Sequence, residues 1–145
     1  MLSLFALISL KAMAPEKTIE GVYYEPVIKE IPGESPFDVL WRAVCMVESS
    51  NNPRAYRIEK NGLPSIGIAQ IMQIRLDDYN WRTKSSYQHD DCYDPDISKE
   101  IFMYYTRGRT NIEKVARAWN GSGPATDAYW RKVKKYLTND LVIPE

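Results

Sequence analysis

Histidine is nearly absent from this chain, whose 145 residues include one, His89. A serine or cysteine nucleophile needs a base within hydrogen-bond reach. Such chemistry would rest on that single imidazole, with Cys45 or Cys92 as the thiol, and no nucleophile-elbow motif accompanies it. An excess of charge is also missing. Lysine plus arginine and aspartate plus glutamate number 19 each, which leaves no overall field to draw in nucleic acid or a membrane surface. Internal repeats and low-complexity blocks are lacking, and the longest apolar run, "LSLFALISL", is too short to span a bilayer comfortably. The acidic stretch "HDDCYDPD" has neither the spacing nor the glycine of a calcium loop. Its carboxylates are expected to cap the helix that follows, with no metal and no cofactor. The two cysteines leave two readings open: one disulfide closing a long loop in an exported protein, or two buried thiols acting as small hydrophobes.

What is present reads as one globular domain, with 44% hydrophobic and 12% aromatic residues. The apolar run at the start leads to Ala12-Met13-Ala14, a small-x-small cleavage pattern, although no basic residue precedes it. Residues 1–14 are therefore expected to be a signal peptide or anchor, placing the protein in the periplasm or cell envelope, with cleavage leaving Pro15 first. Residues 15–34 hold Pro15, Gly21, Pro26, Pro32 and Gly33 and read as an extended lead-in, with Val22, Tyr23 and Tyr24 available to pack on the domain of residues 35–145.

Ser35 is a good N-cap, Pro36 suits a first helical position and Asp38 favours the positive end of the helix dipole. Phe37, Leu40, Trp41, Val44, Cys45 and Val47 follow at spacings of three and four, an amphipathic helix. "AYRIEKNGLPSIGIAQ" reads as a hairpin around Asn61-Gly62. Asp94-Pro95-Asp96 starts a helix with Ile97, Ile101, Phe102 and Tyr105 inward. Thr110 or Asn111 starts another with Ile112, Val115, Ala116 and Trp119 inward, ending at Asn120-Gly121. Thr126 is expected to cap a last helix that turns Tyr129, Trp130, Val133 and Leu137 inward and keeps Arg131, Lys132, Lys134 and Lys135 on a solvated face. The sum is a mainly α (α+β) domain with one small β-hairpin.

Glu48 is the residue that this pattern does not explain. It lies four residues after Val44 and seven after Trp41, so it continues the apolar stripe. "SSNNP" then ends the helix, because Pro53 biases Asn52 away from helical angles and Ser and Asn compete for backbone hydrogen bonds. A carboxyl at the wet end of a core helix is half desolvated, which raises its pKa and makes it a candidate general acid. Gly67 allows close approach of backbone or ligand, with Gln70 and Met72 lining one side.

The blocks "ESSNNPRAY", "GIAQIM", "DPDIS", "ARAWNGSG" and "YWRKV" resemble, in order and spacing, those of the soluble lytic transglycosylase (SLT) domain of the lysozyme-like superfamily, over about residues 37–137. The resemblance implies a lysozyme-like fold and cleavage of the β-1,4 bond between N-acetylmuramic acid and N-acetylglucosamine in peptidoglycan. Glu48 would act as acid and then base while the sugar's own C6 hydroxyl closes on C1 to give a 1,6-anhydro end. It places Ser49 to orient that carboxyl, Gln70 and Met72 along the cleft, Asn120 against a sugar and Tyr129 near the glutamate. Trp119 stands where the family's A-Y-N block has tyrosine, so that phenolic hydroxyl is replaced by an indole that can stack on a sugar or fill the core.

The resemblance implies the glycan strand as partner; a monomer is expected, and its small size and expected export suit local wall opening for remodelling or for a secretion or conjugation apparatus. Two alternatives stand beside it. A goose-type lysozyme shares the glutamate but hydrolyses, normally with a second carboxylate; Met72 occupies the place of that family's aspartate, leaving Glu59, Asp77 and Asp78, each expected to be a solvated turn or helix residue. A non-catalytic peptidoglycan-binding adaptor of an envelope-spanning machine is the other.

Overall fold

The computed structural model describes residues 34–139, without the side chains of residues 138 and 139. The leader expected over residues 1–14, and the lead-in of residues 15–34 apart from Glu34, lie outside the described residues. Helix α1 spans Pro36–Ser49 and begins as expected: the Ser35 hydroxyl accepts from the Asp38 N–H, and the Asp38 carboxylate accepts from the Ser35 N–H. Lys99 reaches the same carboxylate at 2.7 Å, and its hydrogen bond, foremost, holds the Asp38 carboxyl below its ordinary value. α1 ends in two left-handed residues, Ser50 at φ 54° and Asn51 at φ 62°. Their N–H groups close on the carbonyls of Met46 and Cys45.

The chain then forms a small antiparallel sheet, β1 (Tyr56–Ile58), β2 (Pro64–Ile66) and β3 (Ile71–Met72), in the order β1-β2-β3. Tyr56 pairs with Ile66, and Ser65 with Met72. The turn between β1 and β2 places Gly62 at φ +80°, as Asn61-Gly62 suggests. The third strand extends the expected hairpin. Helix α2 (Gln73–Thr83) follows directly and is an element that sequence periodicity does not reveal: it buries only Leu76 and Tyr79 and leaves Ile74 and Trp81 exposed.

A 3-10 turn at His89–Tyr93 leads to α3 (Pro95–Tyr104), then α4 (Ile112–Asn120) and α5 (Ala125–Asn139). The acidic stretch caps: the Asp94 carboxylate accepts from the Asp96 N–H at 2.8 Å and that of Asp91 from the Gln88 N–H at 2.7 Å. Asn111 caps α4 through the Lys114 N–H. Thr126 does not cap α5, which starts one residue earlier; its hydroxyl instead donates to the Gly123 carbonyl at 2.8 Å. The basic residues of α5 lie on an exposed face, as expected.

α1 lies against α5, α4 and α3 and carries the centre of the core, a cluster in which Leu40, Val44, Ile101, Phe102 and Val133 are all fully buried. Phe102 joins Trp41 and Trp119, with ring centroids 5.3 and 5.0 Å away. Cys45 and Cys92 are free, buried thiols, and burial pushes both up to about 12. The disulfide reading is thus corrected: each sulfur fills apolar space. The resulting mainly α domain with a small sheet is the lysozyme-like class.

Candidate active site

Where α1 stops, a cavity of about 190 Å³ opens between the sheet and the ends of α2 and α4. Glu48 stands at its base on the last turn of α1, with its side chain 11% exposed. Burial pushes its carboxyl above the ordinary carboxylate value, and two contacts work in the opposite direction. The Tyr129 hydroxyl, brought in by α5, donates to Glu48 Oε1 at 2.8 Å. The Arg57 guanidinium, from β1, approaches Oε2 at 3.5 Å, a long contact whose effect is mainly Coulombic. Tyr129 is itself pushed up, by burial first and by the adjacent Glu48 charge second, so it stays a donor.

Ser49 does not orient the carboxyl. Its hydroxyl donates to the Ile68 carbonyl at 2.7 Å and accepts from the Asn52 N–H at 3.0 Å. It therefore fastens the end of α1 to the segment beside the cavity, while Tyr129 holds Glu48. That segment is fixed from below as well: Gly67 has φ +76°, and a Cβ there would stand 2.0 Å from the Cys92 carbonyl oxygen.

Gln70 and Met72 line the cavity, as do Trp119 and Asn120. Gln70 is turned inward, its amide donating to the carbonyls of Gly67 and Ala55, so it braces the wall through the backbone. Trp119 is 6% exposed and both fills the core and shows an edge to the cavity. Asn120, at the end of α4, is exposed.

Glu59 is not the solvated turn residue expected of it. It lines the same cavity as Glu48 and binds Arg57 Nε at 2.8 Å and the Ser65 hydroxyl at 2.5 Å. Partial burial works against its ionisation, but the Ser65 and Arg57 bonds outweigh this and hold it below the ordinary value. Asp77 and Asp78 lie away from the cavity, Asp77 accepting from Gln73 and Asp78 from Tyr105 and Arg82. Sequence reasoning missed Arg57 and Arg75, both of which line the cavity. Alternation along "YRIE" could have signalled that Arg57 and Glu59 share a face; nothing local signals Arg75, because α2 itself was not legible.

His89 takes no part. Its Nε2–H donates to the Ile71 carbonyl at 2.8 Å and clips the 3-10 turn to β3. Among the described residues no group of three or more His, Cys, Asp or Glu is placed to hold a metal ion, and no helix is long and apolar enough to cross a membrane. What the cavity offers is a half-buried carboxyl that keeps its proton longer than usual, beside an ionised carboxylate and two guanidinium groups. Environments that drive two carboxyls apart in this way suit acid and base work near neutral pH.

A comparison with curated proteins finds no match. The transglycosylase SLT domain matches residues 37–141, which reaches from the second residue of α1 past the end of α5. The chain therefore belongs to the transglycosylase SLT domain family, whose activity is of the lytic transglycosylase type on peptidoglycan.

Proposed function

We propose that this protein is a peptidoglycan lytic transglycosylase in which Glu48 is the single acid and base. The glycosidic oxygen between N-acetylmuramic acid and N-acetylglucosamine takes the Glu48 proton as its bond to C1 breaks. The C6 hydroxyl of the muramyl sugar then bonds to C1 and returns its proton to the Glu48 carboxylate, so a 1,6-anhydro end forms and no water is consumed. The observation that carries this reading is the clamp on Glu48. One oxygen is fixed by Tyr129, burial raises the carboxyl's hold on its proton, and the group opens on a cavity walled by Met72, Trp119 and Asn120.

In this reading Ser49 and Gln70 support the site through the backbone, and Trp119 and Asn120 meet sugar. The apolar run at the N-terminus and its Ala12-Met13-Ala14 sequence support export to the periplasm or envelope, where local opening of the wall would serve remodelling or a secretion or conjugation apparatus.

Mass spectrometry of fragments released from purified peptidoglycan by the parent protein and by Glu48→Gln tests the proposal. Anhydro-ended muropeptides that vanish in the variant are expected. Reducing ends in their place would move the enzyme to hydrolysis, a second reading favoured by one observation: Glu59 shares the cavity with Glu48. In that case Glu59→Gln should abolish the reducing ends, whereas a transglycosylase should keep its anhydro product in that variant.

A further inference from the structure

Arg75 is the charged group in the cavity that the acid and base chemistry leaves unused. It projects from the first turn of α2, and its guanidinium lies 4.2 Å from the centroid of the Trp119 ring and 5.4 Å from that of Tyr105. Nη2 donates to the Trp119 carbonyl at 2.8 Å. Stacking plus one hydrogen bond holds the planar fork in one orientation.

Its surroundings differ from those of the other arginine in the cavity. Arg57 is engaged by Glu59 and approached by Glu48. Arg75 has no carboxylate within ion-pair distance among the described residues, and burial lowers its affinity for its proton without removing the charge. Among the described residues no buried side-chain nitrogen or oxygen lacks a partner. The N–H groups of Arg75 that have no protein acceptor are therefore those that reach the open cavity. With Glu48 protonated, the cavity holds two guanidinium groups against the single carboxylate of Glu59, a positive balance in a partly desolvated space.

We propose that Arg75 receives a carboxylate carried by a muramyl residue of the glycan strand, and so selects muramic-acid strands over neutral N-acetylglucosamine polymers. This rests on the peptidoglycan reading and names the feature of the substrate that this site reads. Two sources share the chemistry: the lactyl carboxylate of peptide-free strands, and a free carboxylate of the stem peptide where one is attached. A guanidinium fork accepts either in a paired, charge-assisted geometry.

The test is binding, measured by isothermal titration on Glu48→Gln, so that turnover plays no part. The probes are a GlcNAc-MurNAc tetrasaccharide with free lactyl carboxylates, its methyl ester, the same tetrasaccharide carrying stem peptides, and chitotetraose. Expected is binding of a carboxylate-bearing probe roughly ten- to a hundredfold tighter than the ester or chitotetraose. Adding Arg75→Gln should erase that gap while leaving the neutral probes bound as before, and Arg75→Lys should restore only part of it. Preference for the peptide-free or for the peptide-bearing probe identifies the source. Equal binding of acid and ester by Glu48→Gln overturns the proposal with no change made at Arg75, and so does equal weakening of all probes by Arg75→Gln. If none of the probes binds, the proposal falls together with the peptidoglycan reading; binding without discrimination removes the Arg75 assignment alone.

Discussion

Replacing Tyr129 by phenylalanine removes one oxygen from a side chain that is 7% exposed and leaves the ring packing in place. The lost hydroxyl donates to Glu48 Oε1 at 2.8 Å. A hydrogen bond to a charged acceptor contributes about 1.5–3 kcal/mol, and here it favours the ionised carboxyl. Burial already lifts the Glu48 carboxyl above its ordinary 4.5, with Tyr129 opposing that rise. Tyr129→Phe should therefore tighten the hold of Glu48 on its proton, by about a factor of ten or more at 1.4 kcal/mol per tenfold. If Glu48 must be protonated to act, kcat/KM falls as pH rises through its titration, and that alkaline limb should move to higher pH in the variant. The plateau should drop as well, by roughly tenfold, because the carboxyl loses the contact that fixes its position. Clearance of purified peptidoglycan, followed by turbidity across a pH series with circular dichroism as the control for folding, reads both effects. An alkaline limb that stays in place or moves to lower pH would refute the assignment of Glu48 as the acid and Tyr129 as its anchor.

The same electrostatics predict a trade between activity and stability. Because the folded-state pKa of Glu48 is raised, its contribution to stability is fully present below the ordinary 4.5 and is lost as pH rises through the folded value. Glu48→Gln should thus melt at a higher temperature than the parent at neutral pH, with the gap closing as the pH falls through the folded value towards 4.5; an equal or lower midpoint at neutral pH contradicts this. Gly67→Ala should cost at least about 2 kcal/mol in urea unfolding, since it combines a left-handed backbone with a Cβ pressed on the Cys92 carbonyl. Cys45 and Cys92, both pushed up to about 12, should resist Ellman's reagent in the native protein and react once the chain is denatured.

Much of the fold was legible because the helices carrying the core announce themselves twice, through periodic apolar residues and through caps. Ser35, Asp94 and Asn111 each close the helix they precede. α2 escaped because its burial is slight: two inward residues, with Ile74 and Trp81 left in solvent, give no stripe to read. Glu48 stood out as a carboxyl placed on an apolar face. Its neighbours were harder to assign, because their partners are distant in sequence. The hydroxyl of Ser49 could equally have reached the carboxyl or the backbone, and only the close approach of Ile68 decides it. Glu59 is less solvated than its sequence suggests because the pairing of β1 with β2 brings Ser65 beside it and places it on the cavity of Glu48.

The hydrogen bond from Tyr129 to Glu48 joins residues 81 positions apart. A growing chain already carries the carboxyl, Arg57, the sheet and α2 long before α5 exists, yet the short hydrogen bond to Glu48 Oε1 forms only when that last helix has docked. A molecule lacking α5 would present Glu48 without its Tyr129 hydrogen bond. The geometry of the candidate acid is thereby tied to completion of the whole domain, from the first described helix to the last.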